Sequence, residues 1–181
     1  SKEKMLTREH QLFIAKSPFL LLSSASNSLG ADVSPRGDMP GFVKISDEGG
    51  LLLPDRIGNN RLDTLSNILE NPFLSLSFLI PGNDAVLFVQ GKAEISIDPY
   101  WLNAFMFKGK PARAVIKITP TLVDEKSLSV FDVANFWGEH DRDNIASKIP
   151  TLGDILSDQI SGVSKDDANK FVSESYATRL Y

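Results

Sequence analysis

The sequence predicts an α+β fold: a small antiparallel β-barrel of six or seven strands with flanking helices. Short apolar or alternating segments recur along the first two thirds of the chain, turn-forming residues separate most of them, and helical patterns stand between and after them. The chain has 181 residues, 42% of them hydrophobic, and this length is sufficient for one domain with a single core. We therefore expect residues 1–181 to form one domain, with the barrel over about 18–120 and a helical extension over about 148–178.

A short helix precedes the first strands of the predicted barrel. Residues 5–16 carry apolar side chains at helical spacing, Thr7 is a candidate cap, and Pro18 ends the helix. Strands are then predicted, in chain order, at 19–25, 31–34, 42–46 and 50–53. The turn sequence SDEGG joins the last two of these strands as a hairpin.

The clearest helix in the chain follows the segment PDRIGNN. One face of this helix collects four apolar residues, namely Leu62, Leu65, Ile68 and Leu69. Asn60 stands at the N-cap position, and Asp63, three residues later, stands where a capping-box acid belongs. The helix therefore begins near Asn60, directly after a predicted strand.

The second half of the barrel is predicted as a hairpin followed by one more strand. The hairpin strands are 73–80 and 85–97, joined by the tight turn PGND, and Gly91 marks a bulge or bend in the second strand. The remaining elements, in chain order, are a helix at 98–107 that starts with Asp98 and Pro99, a strand at 112–119, and helices at 151–160 and 165–176.

Composition excludes several classes of function. The net charge of −4 argues against a general nucleic-acid binder. The absence of cysteine removes disulfides, thiolate catalysis and cysteine-ligated metals, and two histidines are too few for a typical zinc or iron cluster. No apolar run approaches the ~20 residues that span a bilayer, and no signal-peptide pattern opens the chain. We expect a soluble cytoplasmic protein with no metal, no membrane partner and no nucleic-acid partner.

Arg36 lies within the segment VSPRGDMPGFVKI, where prolines and glycines surround it. A stiffened loop of this kind suits the orientation of one guanidinium group. Two interpretations remain open from the spacing alone. Arg36 either binds an anionic ligand or forms a surface ion pair with Asp38 or Asp32.

Arg56 and Arg61 flank the start of the clearest helix. A cation in the first turn of a helix opposes the helix dipole, so Arg61 is unfavourable there unless something offsets it. Free backbone N–H groups and guanidinium groups together favour a phosphate. The alternative is that both arginines are solvated or paired with Asp55 and Asp63.

Other sequence patterns are less informative. Trp137 either covers a flat ring system or packs against its neighbours. The sequence contains no Ser-His-Asp pattern, no Walker loop and no GxGxxG motif, so the hydrolase and Rossmann interpretations have no support. Catalytic residues are not identified by these patterns.

Four segments together resemble a known superfamily. The succession DVSPRGDMPGFVKI, LLLPDRIGNNRLDTLSNILENP, FLIPG and VQGKAEISIDP is similar to the pyridoxamine 5'-phosphate oxidase-like, FMN-binding split-barrel proteins. It resembles most the branch of FMN-dependent proteins that carry the SPRGD and LPDRxGNxR motifs. The similarity runs from about His10 to Pro99, and LGDILSDQI near the C-terminus is also similar.

The resemblance implies a homodimer with one FMN at each end of the subunit interface. It implies that Arg36 and Arg61 grip the phosphate of FMN and that Asn60 assists them. It also implies a set of residues along the ribityl chain and the isoalloxazine ring: Phe42, Val43, Pro54 and Asp55. Trp137 is the residue of a further family segment that this chain retains.

The chain also departs from the pattern of this branch. Phe88 stands where the branch usually has an arginine, and the segment DEKSLSVFDVANFW lacks the His-Cys pair of the relatives. Three hypotheses follow. The first is an FMN-dependent oxidoreductase of unknown substrate, and the second is a non-catalytic dimer that holds FMN, a deazaflavin or haem. The third is an interaction protein with a vestigial cofactor site, and the intact segment 51–72 argues against it. Pyridoxamine 5'-phosphate is not expected as the substrate, because the C-terminal segment lacks the further basic residues that would hold its phosphate.

Overall fold

The computed structural model of the chain describes residues 2–3, 5–28, 30–56, 63–140, 144–145 and 147–179. The chain folds into two compact units, residues 1–137 and residues 138–181. The expectation that residues 1–181 form one domain stays a prediction. Within the described part of the chain, no helix is both long enough and apolar enough to cross a bilayer.

The first unit is built on one antiparallel sheet, which confirms the predicted α+β class. Its strands, in chain order, are β1 (Lys2–Glu3), β2 (Phe19–Ser26), β3 (Gly30–Gly37), β4 (Lys44–Ile45), β5 (Leu51–Asp55), β6 (Phe73–Leu79), β7 (Ala85–Ser96) and β8 (Ala114–Ser127). The spatial order is β3-β2-β6-β7-β8-β5-β4, and β1 pairs with the far part of β8. The long strand β8 therefore connects the two halves of the sheet.

The helices described are α1 (Arg8–Lys16), α2 (Asp63–Glu70), α3 (Pro99–Asn103), α4 (Val130–Val133), α5 (Leu152–Gln159) and α6 (Lys165–Arg179). Thr7 caps α1 as predicted: its side chain accepts a hydrogen bond from the His10 backbone N–H, and His10 Nδ1 accepts one from the Thr7 N–H. Asp98 caps α3, with Pro99 at its first position. This helix ends at Asn103 rather than at residue 107, because the Phe105 N–H bonds to Leu102 O in a tighter turn.

Arg36 belongs to a strand and not to a loop, which corrects the sequence prediction. Every residue of β3, from Gly30 to Gly37, is paired with β2. Pro35 does not prevent this pairing, because β3 is the last strand in the sheet order and a proline is tolerated on an edge strand. The alternation of β3 turns Ser34 and Arg36 inward.

Two other strands differ in length from their predictions. β4 covers two residues rather than 42–46, because the Phe42 backbone N–H bonds to Met39 O in a turn. β8 runs on to Ser127, past Pro120, because a register shift between Gln90 and Gly91 accommodates the proline. The predicted bulge at Gly91 is confirmed.

Helix α2 is tied to the β2–β3 hairpin by polar contacts. Glu70 accepts hydrogen bonds from the Asn27 backbone N–H at 2.9 Å and from Ser28 Oγ at 2.6 Å. Asn67 Nδ2, which is fully buried, donates to Ser24 Oγ at 3.1 Å. These bonds fix the helix against the strand pair that carries Arg36.

The second unit contains the pair of helices α5 and α6. Thr151 caps α5 in a capping box with Asp154, and its hydroxyl also bonds to Asn169 Oδ1 on α6 at 2.7 Å. Gly153 faces Asn169 so closely that a Cβ atom could not be placed there. Both helices were predicted, at 151–160 and 165–176, and α6 is three residues longer at its C-terminal end.

Candidate functional site

A buried ion pair joins two strands that are far apart in the sheet order. Arg36 Nη1 on β3 donates to Asp55 Oδ1 at the end of β5, at 2.9 Å. Four strands separate edge strand β3 from β5, so the sheet must curl to bring them together at this pair. The pair therefore marks the seam at which the barrel closes.

The guanidinium of Arg36 is only partly used by this ion pair. The side chain is 8% exposed, and its Nε and Nη2 atoms are buried without a hydrogen-bond partner. Nε–H and Nη2–H point in the same direction along one edge of the planar group, which is the fork that binds two oxygens of a carboxylate or phosphate. Buried donors without an acceptor are costly, so this edge is suited to an oxyanion ligand.

A second Arg-Asp pair crosses the seam beside the first. Arg56 Nη1 lies 3.4 Å from Asp38 Oδ2, and the Arg56 guanidinium lies over the ring of Phe107, 4.8 Å from its centre. Each side of the seam thus contributes one arginine and one aspartate. Nε and Nη1 of Arg56 are also buried without a hydrogen bond, because the contact with Asp38 lacks hydrogen-bonding geometry.

The structure decides between the alternatives that the sequence left open for Arg36. Its partner is Asp55 and neither Asp38 nor Asp32, so the predicted surface ion pair is wrong. Asp55 is likewise not the partner of Arg56. SPRGD and LPDR each contain an arginine and an aspartate, but the spacing within each motif does not show that the pairs form between the two motifs.

Three of the predicted cofactor residues lie at the seam, namely Arg36, Pro54 and Asp55. Pro54 is buried in β5 next to Asp55, and the Asp55 carbonyl accepts a hydrogen bond from the Arg113 N–H at 2.9 Å. Phe42 and Val43 are buried in the main core cluster, so their side chains support the barrel. Their predicted contact with the cofactor stays a prediction.

Three further predicted site residues are Asn60, Arg61 and Trp137. Asn60 and Arg61 lie outside the described residues. Trp137 packs with Phe131 and Phe136, with ring centres 5.4 and 4.8 Å away, and its buried Nε1 has no hydrogen-bond partner. The packing interpretation of Trp137 thus has a structural basis, and its predicted role at the cofactor stays a prediction.

Within the described residues, no group of three His, Cys, Asp or Glu side chains could hold a metal ion. The seam instead combines two guanidinium groups, two carboxylates and several unsatisfied N–H donors. Such a site can bind an oxyanion and fix its orientation. Both carboxylates described at the seam are paired with arginines, so neither is positioned to transfer a proton.

Comparison with known proteins identifies the family. The profile of the pyridoxamine 5'-phosphate oxidase family matches residues 6–127, which is more than half of the chain. The chain belongs to the pyridoxamine 5'-phosphate oxidase family. The match ends before α4. Helix α4, Trp137 and the whole second unit therefore lie outside the matched residues. No curated protein sequence matches the chain significantly.

Several solved structures have a fold similar to that of this chain. The HupZ protein of Group A Streptococcus is 14% identical, with a TM-score of 0.55, over 68% of this chain and 95% of that one. A single-residue variant of HupZ is 15% identical, with a TM-score of 0.55, over 67% of this chain and 100% of that one. A candidate pyridoxamine 5'-phosphate oxidase of Lactobacillus delbrueckii is 18% identical, with a TM-score of 0.52, over 67% of this chain and 95% of that one. At these identities the likeness concerns the fold alone.

Proposed function

We propose that the protein binds FMN at the barrel seam and acts as a flavin-dependent oxidoreductase. The proposal rests on the edge of Arg36 formed by Nε and Nη2, here called its open edge. A buried guanidinium that is held at Nη1 and unsatisfied at Nε and Nη2 has the geometry for two oxygens of a phosphate group. Membership of the pyridoxamine 5'-phosphate oxidase family supports the choice of a flavin phosphate over other oxyanions.

Each seam residue has a proposed part in binding. Asp55 fixes the rotation of Arg36, so that the open edge is oriented before the ligand arrives. Since Asp55 offsets part of the charge of Arg36, a doubly charged phosphate needs a second cation, and Arg61 with Asn60 is proposed to supply it. Pro54, Phe42 and Val43 are proposed as contacts for the ribityl chain and the ring.

When bound, the flavin supplies the hydride or electron chemistry, and the protein supplies placement. Asp38 and Asp55 are both engaged with arginines, so in this proposal neither acts as a general base. Their role is to hold the two guanidinium groups. The substrate is an unidentified small molecule.

We propose further that the protein is a homodimer with FMN at the subunit interface. The face of β3, β2 and β6 that points away from the core exposes Val33 (54%) and Phe73 (60%). Between them the face carries small residues, including Ser23, Ala25 and Ser75, and a shallow groove of about 370 Å³ crosses it. A wide face of small and apolar side chains is suited to burial against a second copy.

A non-catalytic cofactor-binding dimer is the second candidate. The observation that favours it is the engagement of both seam carboxylates with arginine, which leaves no described acid or base in the site. A deazaflavin could use the same oxyanion edge. Haem would require an axial ligand, and of the two histidines His10 is buried with its Nδ1 bonded to the Thr7 N–H, whereas His140 is exposed.

An absorption spectrum of the purified protein, followed by mass spectrometry of the released cofactor, tests the proposal. We expect oxidised-flavin bands that bleach with a reductant, and the mass of FMN. A haem band or a deazaflavin mass would show that the cofactor is not FMN, and a flavin that no reductant and acceptor turn over would favour the second candidate. A colourless protein that takes up no FMN when it is added would contradict the proposal.

Arg61 provides an independent test of the phosphate site. We expect Arg61→Ala to weaken FMN binding by at least about tenfold, because one charge-assisted contact to the phosphate is lost. Fluorescence titration of the cofactor-free protein measures this. Unchanged affinity would contradict the assignment of Arg61.

A further inference from the structure

The contact between α2 and the β2–β3 hairpin is polar although it is buried. Thr64 and Asn67 on α2 are fully buried, and Ser24 on β2 is only 4% exposed. Asn67 Nδ2 donates to Ser24 Oγ at 3.1 Å, and Thr64 Oγ1 donates to Asp32 Oδ2 on β3 at 3.5 Å. Ser24 and Asp32 are direct partners in the β2–β3 ladder. Two neighbouring hydrogen bonds thus join one turn of the helix to one pair of residues in the hairpin.

Asn67 is an unfavourable residue for this position if stability alone is considered. Its Oδ1 atom is buried and has no hydrogen-bond partner, and an unsatisfied buried acceptor destabilises the folded state. A leucine has a similar size and would pack as the next residue, Ile68, does in the core cluster. Hydrogen bonds are directional, whereas apolar contacts allow a helix to slide or rotate. The buried amide therefore fixes the register of α2 on the hairpin.

A third polar contact defines the direction in which α2 runs. Glu70 accepts hydrogen bonds from the Asn27 N–H and the Ser28 hydroxyl at the hairpin turn, so the C-terminal end of α2 lies there. The first turn of the helix lies at Asp32 on β3. Arg36 is four residues further along β3 on the same face, at a distance of about 13 Å, because side chains alternate along a strand. Helix α2 therefore begins on the strand that carries Arg36.

We propose that Asn67 and Thr64 are positioning residues, which hold the start of α2 at a fixed distance from Arg36 and so make the site selective for a phosphate ester. This inference rests on the proposed function, because it concerns the same phosphate site. Arg61 stands two residues before Asp63, the first residue of α2, so a slide of the helix would displace the chain that carries Arg61. A site that holds one ligand between two side chains tolerates displacements of only about 0.5 Å.

The double variant Asn67→Leu/Ser24→Ala tests the proposal and leaves no partner of the lost bond unpaired. Because apolar groups replace both partners, we expect the midpoint of urea unfolding to stay close to that of the wild-type protein. Fluorescence titration of the cofactor-free protein gives the affinities of FMN and riboflavin. We expect the preference for FMN over riboflavin to fall by about tenfold or more, with the affinity of riboflavin unchanged, because the phosphate contact alone depends on α2.

Ile68→Val is the matched control. Ile68 lies next to Asn67 on α2, is 4% exposed and packs in the main core cluster. Removal of one carbon atom lowers stability and leaves the polar contacts in place, so we expect a lower unfolding midpoint and an unchanged preference for FMN.

Thr64 supplies an independent comparison at a second hydrogen bond. Thr64→Val replaces the hydroxyl by a methyl group and should reduce the preference for FMN, whereas Thr64→Ser keeps the hydroxyl and should retain the preference. The proposal is overturned if either the double variant or Thr64→Val prefers FMN as strongly as Ile68→Val does, or if Thr64→Ser loses the preference.

Inorganic phosphate keeps this inference separate from the proposed function. If the wild-type protein prefers FMN and the variants keep that preference, the positioning role fails and the flavin site stands. If the wild-type protein takes up no flavin, the proposed function fails, and calorimetric titration of the cofactor-free protein with inorganic phosphate decides the positioning role. Weaker phosphate binding by the double variant than by Ile68→Val then supports this role, and equal or absent binding overturns it.

Discussion

At the scale of single residues, the seam is a set of preoriented charges. Burial of Arg36 and Asp55 removes water from both groups, and the ion pair offsets this cost only if the remaining N–H donors find an acceptor. The unsatisfied edge of Arg36 is therefore a local instability of the ligand-free chain. An oxyanion would relieve it, so ligand binding and seam stability are coupled.

The Arg36–Asp55 pair predicts a stability change. We expect Asp55→Ala to lower the free energy of unfolding by about 3 kcal/mol, because it leaves a buried guanidinium without its counter-charge. Chemical denaturation measures this loss. Asp47→Ala is the control, since Asp47 lies in the exposed β4–β5 turn and should change stability by less than about 0.5 kcal/mol. Equal stability of the two variants would show that the pair does not hold the seam.

At the scale of elements, the long hairpin β7–β8 shapes the barrel. The pairing register of β7 and β8 shifts between Gln90 and Gly91, and a shift of this kind favours a local bend. A Cβ atom on Gly91 would lie 2.6 Å from Ile118 Cγ2 and 2.7 Å from Thr119 O. Strand β8 can approach so closely only because position 91 has no side chain. The bend lets one strand pair with both halves of the sheet.

This close approach predicts the effect of adding one methyl group. We expect Gly91→Ala to lower the free energy of unfolding by about 2 kcal/mol through overpacking. Gly37→Ala is the matched control, because a Cβ there meets its nearest neighbours at 3.4 and 3.5 Å, an ordinary contact. Thermal and denaturant unfolding of both variants provides the comparison, and an unaffected Gly91→Ala would contradict the described packing of β8.

The contact between α2 and the β2–β3 hairpin predicts a dependence on pH. The hydrogen bond from the Ser28 hydroxyl lowers the pKa of Glu70 below its ordinary value of 4.5. A lowered pKa in the folded state means that this contribution to stability is present above pH 4.5 and is lost as the pH falls through the folded-state value. Glu70→Gln should therefore flatten the acid limb of the stability curve. An unchanged limb would contradict this assignment.

Local patterns in the sequence predict most elements but not the seam. Caps at Thr7 and Asp98 and the glycine at position 91 have local causes, so they could be recognised directly. Pairing of Arg36 with Asp55 depends on the closure of a sheet whose two ends are far apart in strand order. Spacing along the chain contains no information on that closure. The sequence therefore suggested aspartates near Arg36, namely Asp32 and Asp38, as its ion-pair partners.

At the scale of the whole molecule, the proposed cofactor site requires a second copy of the chain. The exposed face of β3, β2 and β6 is proposed as the interface, and the resemblance to split-barrel proteins implies one FMN at each end of such an interface. Flavin binding and association of two chains are therefore expected to depend on each other.

Sedimentation velocity tests this expectation. We expect a species of twice 19.9 kDa for the wild-type protein and partial dissociation of Phe73→Asp, because a charge replaces an apolar contact in the interface. Leu12→Asp is the matched control, since Leu12 on α1 has the same 60% exposure as Phe73. A monomer for the wild-type protein, or equal behaviour of both variants, would rule out this face as the interface.

The most direct test of phosphate binding by Arg36 is the preference for FMN over riboflavin, which lacks the phosphate. The affinity of each ligand is measured for the wild-type protein and for Arg36→Gln. If the open edge of Arg36 holds the phosphate, wild-type protein should prefer FMN by about 100-fold or more, and Arg36→Gln should reduce that preference by about tenfold or more. A substitution that weakens both ligands equally, or leaves the preference unchanged, would show that Arg36 does not bind the phosphate.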